Sequence, residues 1–177
     1  MKATSLLSLA VVLLAGITLA HADAPKMPAV GDKAPLIEGK DQDGKTWRLA
    51  DALGKQAVLL YFYPKDDTKG CTKEACGLRD RMGDLKNDHV QVVGVSFDST
   101  DSHQKFISKY NLNFTLLADT DGKIADAYGV RMAGKNMASR VSFLIGADGT
   151  IQHVTANPSA DVHLAEMKAA VDQLAKK

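Results

Sequence analysis

Seven residues from Ala57 to Tyr63, AVLLYFY, run without a charged position or a polar alternation. A run of that length and character predicts a strand buried on both faces. Val90–Phe97 (VQVVGVSF) repeats the pattern. Between them Ala75, Leu78, Met82 and Leu85 recur at helical spacing and predict a helix over 72–86. Asp101–Tyr110 predicts a second helix, Phe114–Ala118 a short strand and 123–128 a short helix. Asp43-Gly44 inside 36–49, and Asp148-Gly149 between 140–146 and 150–155, predict two hairpins. Leu164, Met167, Val171 and Leu174 share one face of a closing helix over 161–175. Strand, helix, strand implies a right-handed parallel crossover. With a hairpin and a helix to finish, the reading is α/β, one mixed β-sheet flanked by helices.

The chain has 177 residues, which suits one domain with a full core. Its net charge of +1, from 22 basic and 21 acidic residues, gives no electrostatic reason to expect nucleic acid or an anionic membrane as partner. The start of the chain differs from the rest. Lys2 precedes an uncharged, mostly apolar run from Leu6 to Ala20, followed by Ala20-His21-Ala22 and Ala22-Asp23-Ala24. That is the layout of a secretory signal peptide over residues 1–24, too short for a stable membrane span. The expectation is an exported, periplasmic protein whose domain covers 25–177, with no membrane contact once the signal is removed.

Only two cysteines occur, Cys71 and Cys76. A bridge closing so short a loop removes little unfolded-state entropy, so a structural staple is a poor reading. Cys71 follows the loop Pro64–Gly70 at the start of the predicted helix. There it meets unsatisfied N–H groups and the positive end of the helix dipole, both of which favour the reactive thiolate. Gly70 leaves room for close approach, and the hydroxyl of Thr68 can be aimed at whatever binds the sulfur. Cys71 falls on the apolar stripe one turn before Ala75, whereas Cys76 lies roughly 140° from the stripe's centre. One thiol is therefore sheltered and the other accessible. Residues five apart on an ideal helix have Cα atoms about 8.7 Å apart, beyond the reach of about 7 Å for a disulfide. The helix has to unwind before the pair can close.

Pro64-x-x-x-Thr68-x-x-Cys71, within YFYPKDDTKGCTKEACGLRD (61–80), resembles the peroxiredoxin active-site signature of the bacterioferritin-comigratory, or PrxQ-like, subgroup. DQDGK (41–45), NFTLLAD (113–119) and RVSFLIGADGTIQHV (140–154) extend the likeness over the region after the leader. The resemblance implies a thioredoxin-like fold and a peroxidase acting on hydrogen peroxide and organic hydroperoxides, with no cofactor and no metal. It implies Cys71 as peroxidatic nucleophile, Cys76 as resolving thiol, Thr68 as hydrogen-bond partner of the peroxide, Pro64 as shield from water and Arg140 as the active-site arginine. A thioredoxin-like dithiol protein would recycle the Cys71–Cys76 disulfide, and a monomer or weak dimer is expected. Lys69 departs from the family's usual proline before the glycine, which bears on loop rigidity more than on chemistry.

Two other readings start from the same residues. A protein thiol–disulfide oxidoreductase would normally carry Cys-x-x-Cys, and four residues separate this pair. A non-catalytic metal-delivery domain would need a closer cysteine pair and a placed histidine, yet His89, His103, His153 and His163 show no ligand spacing. Lys73, Glu74, Arg79 and Asp80 are expected to form a solvated helix face, and Arg140 on its own pattern could be an ordinary surface arginine.

Overall fold

The structure is a computed structural model describing residues 26–81, 85 and 89–174. The expected leader at 1–24 and the far end of the 72–86 helix, apart from Leu85, lie outside these residues. A hairpin of β1 (Glu38–Asp41) and β2 (Thr46–Arg48) leads into the short helix α1 (Leu49–Ala52). Then come β3 (Ala57–Phe62), α2 (Lys69–Asp80), β4 (Val90–Ser96), α3 (Thr100–Tyr110), β5 (Thr115–Ala118) and α4 (Lys123–Ala127). β6 (Val141–Ile145), β7 (Ile151–Ala156) and α5 (Ala160–Leu174) complete the chain. One mixed sheet carries all seven strands in the order β2-β1-β5-β4-β3-β6-β7. β3, β4 and β5 are parallel neighbours; β6 runs antiparallel beside β3, and β7 runs antiparallel beside β6 at the edge. This is the thioredoxin-like arrangement.

β3 shows why its sequence lacks alternation. Val58, Leu60 and Phe62 enter one apolar cluster, with Val93, Tyr128 and Phe143. Leu59, Tyr61 and Tyr63 enter the other, with Cys71, Ala75, Leu78, Phe106 and Met167 from the covering helices. A central strand has no solvent face to mark with polar residues.

Boundaries shift where local chemistry outweighs the apolar pattern. α2 starts at Lys69, three residues before the predicted start, with Thr68 extended as its N-cap residue. Lys69 thus occupies the first helical position, where the preset φ of proline would also fit. The first hairpin ends earlier than 49 because Leu49 turns into α1, which the apolar pattern does not distinguish from strand. Its turn is as expected: Gly44 has φ +74°, and Asp41 Oδ1 accepts from the N–H groups of Asp43 and Lys45 at 2.9 and 2.8 Å.

Candidate active site

Cys71 is the third residue of α2, in the turn whose N–H groups have no intrahelical acceptor. It is 2% exposed and packed in the cluster with Tyr61, Tyr63 and Ala75. Cys76 is partly exposed on the same helix, and both thiols are free. α2 is continuous from one to the other, so the separation argued from ideal helix geometry applies to the folded state.

Arg140, at the residue before β6, reaches across to this turn. Its Nη2 stands 3.4 Å from Cys71 Sγ, its Nε donates to Pro158 O at 3.3 Å, and its Nη1 pairs with Glu74 Oε2. The guanidinium therefore touches the sulfur while held from two other sides. Gly70 eases the approach, since a Cβ there would lie a tight 3.2 Å from Arg140 Nη2. Arg140 is not an ordinary surface arginine.

Glu74 corrects the solvated-face reading. It is fully buried, whereas Lys73 and Asp80 on the same helix are exposed. Burial pushes its carboxyl up to about 7, against the downward pull of Arg140. Its Oε1 has no hydrogen-bond partner among the described residues and lies 3.5 Å from His163 Nε2. His163, also buried, is fixed by Ser142 Oγ at 2.8 Å and faces Asn157 O from Nδ1 at 3.2 Å. Burial pushes its imidazole down to about 4. α5 comes this close because Gly77 has no side chain: a Cβ would meet Leu164 Cδ2 at 2.2 Å. Sequence spacing alone gave no sign of this set; one hint was available, an acidic residue one position before Ala75 of the apolar stripe.

The loop before α2 places the remaining residues. Thr68 is exposed, and its hydroxyl donates to Lys65 O at 3.1 Å, leaving its oxygen lone pairs free to accept. Asp67, at φ +55°, binds Lys109 Nζ and accepts from Tyr110 Oη at 2.5 Å. Pro64 and Arg140 line a largely apolar cavity of about 360 Å³, with Met132, Val141, Ala156 and Pro158. All five residues singled out in the sequence thus lie on two adjoining stretches, the loop with α2 and the start of β6. Arg140 is brought to Cys71 and to the cavity; Cys76 stands apart, one and a half turns along α2.

The chain resembles known proteins in both sequence and fold. Residues 30–154 match the model of the AhpC/TSA family. Peroxiredoxin Bcp of Escherichia coli (strain K12) is 48% identical over 130 residues, covering 70% of this chain and 83% of that protein. Peroxiredoxin Bcp of Bacillus subtilis (strain 168) is 38% identical over 154 residues, covering 84% and 98%. Among solved structures, the peroxidoxin BcpB of Mycobacterium tuberculosis superposes with a TM-score of 0.76 at 33% identity, over 81% of this chain and 96% of that one. The chain belongs to the AhpC/TSA family, as a peroxiredoxin of the Bcp and PrxQ group, and so to the thiol-dependent peroxidases.

Proposed function

We propose that Cys71 reduces hydrogen peroxide and organic hydroperoxides through a sulfenic acid, and that Cys76 resolves it to a disulfide. The observation that carries this reading is the 3.4 Å contact between Arg140 Nη2 and Cys71 Sγ in the first turn of α2. A cation and a helix N-terminus together stabilise thiolate and the negative charge that develops on the peroxide oxygens. The sulfur attacks the hydroxyl-bearing oxygen, the O–O bond breaks, and the departing oxygen takes a proton to leave as water or alcohol. Thr68 accepts a hydrogen bond from the peroxide, and Pro64 keeps water from the sulfur. The apolar lining of the cavity supports hydroperoxides carrying a carbon chain.

α2 then opens, the thiolate of Cys76 attacks the Cys71 sulfur, and the sulfenic oxygen leaves as water. A thioredoxin-like dithiol exchanges with the disulfide and restores both thiols. The protein acts as a monomer or weak dimer. The leader-like start supports export to the periplasm, with residues 25–177 as the working domain, and the reductant must then be found there too. N-terminal sequencing of the protein recovered outside the cytoplasm should begin between Ala22 and Pro25; an intracellular protein retaining Met1 contradicts export.

A dithiol-dependent peroxide assay tests the catalytic reading. Purified reduced protein should consume peroxide beyond the first equivalent only while dithiol is present, and Arg140→Ala should slow the peroxide step about 10²-fold with the fold retained. An Arg140→Ala protein of unchanged rate contradicts the role of Arg140. A wild type that reduces protein disulfides but not peroxide favours the oxidoreductase reading, and one that only binds metal favours the delivery domain.

A further inference from the structure

Behind the loop lies a buried polar cluster that takes no part in the chemistry above. Asp66 and His103 are 6% and 0% exposed. Asp66 Oδ1 accepts from Tyr63 Oη at 2.6 Å, and its Oδ2 meets Ser102 Oγ and His103 Nδ1, each at 2.8 Å. His103 Nε2 faces Leu117 O at 3.1 Å. The ring is thus held at both nitrogens, by a carboxylate on one side and a backbone carbonyl on the other. The backbone N–H of Asp66 donates to Asp98 Oδ2 at 2.9 Å, and Asp98 is itself held by Ser96 Oγ at 2.7 Å. So α3, the end of β4 and the end of β3 all grip one loop residue.

The gripped peptide is the one that matters to Thr68. The N–H of Asp66 and the carbonyl of Lys65 belong to a single planar peptide unit. Asp98 fixes the N–H end of that plane, and the Thr68 hydroxyl donates to its carbonyl end at 3.1 Å. Any rotation of the plane turns the Lys65 carbonyl and releases the hydroxyl rotor, whose lone pairs would then no longer point one way. A buried polar cluster of this kind adds little net stability. What it does supply is a single loop geometry.

We infer that His103 and Asp98 are positioning residues for the peroxide step: through Asp66 they fix the Lys65–Asp66 peptide, and through it the direction in which Thr68 accepts the peroxide hydrogen. The inference rests on the proposed role of Thr68. It separates the peroxide from the thiol. Thiolate stabilisation by Arg140 and the helix terminus does not pass through this cluster; alignment of the peroxide does.

Two rates of Cys71 test it, both in a Cys76→Ser background so that one thiol reports: reaction with hydrogen peroxide, and alkylation by iodoacetamide, which needs thiolate but not Thr68. His103→Leu removes both ring contacts and should slow peroxide at least about tenfold, because small misalignments at a reacting centre are costly. Alkylation should stay within about twofold, since it does not use that alignment. His103→Asn, which retains an amide donor toward Asp66, should recover part of the loss. Adding Thr68→Val to His103→Leu should cost little more than Thr68→Val alone, as expected when one residue acts through the other. Should His103→Leu fail to fold, Ser102→Ala removes a single donor to Asp66 and should give a smaller but equally selective loss. Equal losses in both rates, additive losses in the double variant, or a full peroxide rate in His103→Leu (or in Ser102→Ala where that replaces it) overturn the inference. Slow Thr68→Val beside full-rate His103 variants overturns the inference alone. Full-rate Thr68→Val removes the role of Thr68 first, and the inference with it.

Discussion

Cys71→Ser protein is expected to consume no peroxide at any dithiol concentration. Serine keeps the size and position of the side chain in its buried place beside Ala75 and Arg140, so the fold should survive. A hydroxyl at neutral pH is nevertheless a far weaker nucleophile than a thiolate. Arg140 stabilises an anion already formed; it cannot remove a hydroxyl proton. Cys76→Ser should behave differently. Cys76 lies away from Arg140 and the cavity, so the first equivalent of peroxide should react as in wild type. Turnover should then stall at the sulfenic acid, because no second thiol follows along α2. Circular dichroism checks that both variants are folded, and peroxide consumption separates them.

The second large effect is expected in α2 itself. Disulfide formation requires the helix to open between Cys71 and Cys76, so the amides there should lose most of their hydrogen-exchange protection on oxidation. The structure sets bounds to the opening. On one side Asp67 is tied to Lys109 and Tyr110. On the other, Arg79 Nη1 donates to the carbonyl of the same Tyr110 at 2.6 Å, and Leu78 is buried. Both ends of the segment are therefore held by the end of α3, and protection should fall within 68–78 and persist in α3 and β3.

Glu74 gives the opening a pH dependence. Its carboxyl sits at about 7 when buried and near the ordinary 4.5 once the segment opens to water. A group that holds its proton more tightly in the closed state favours closure fully below about 4.5, and that advantage is lost as pH rises through 7. His163 lies on α5, outside the opening segment. Corrected for intrinsic exchange, opening of the reduced protein should be more frequent at about pH 8 than at about pH 5.5. Glu74→Gln should flatten the difference. Equal protection of 68–78 in reduced and fully oxidised protein would refute the switch.

What was legible in the sequence was whatever has a local period or a local spacing. The double-sided run of β3, the turn glycines and the helical phase of Cys71 against Cys76 all depend on neighbours within a few residues. Arg140 could be placed only through the resemblance to a family, because it lies 69 positions beyond Cys71. Glu74 was misread for a related reason. Helical phase puts it beside the apolar stripe, but its burial comes from α5, which settles over it because Gly77 admits Leu164. The Asp66–His103 pair was likewise invisible: the two lie 37 residues apart and meet because α3 crosses back over the end of β3. Local rules find elements and turns. Long-range polar partners are set by packing, and single-chain periodicity carries no trace of them.

The most direct test of the account is one equivalent of hydrogen peroxide mixed with reduced Cys76→Ser protein, followed by stopped flow and then by intact mass. The account predicts that the first equivalent disappears at the wild-type rate and that the protein gains a single oxygen located on Cys71. Peroxide left unconsumed, or oxygen found elsewhere while Cys71 stays a free thiol, would contradict it.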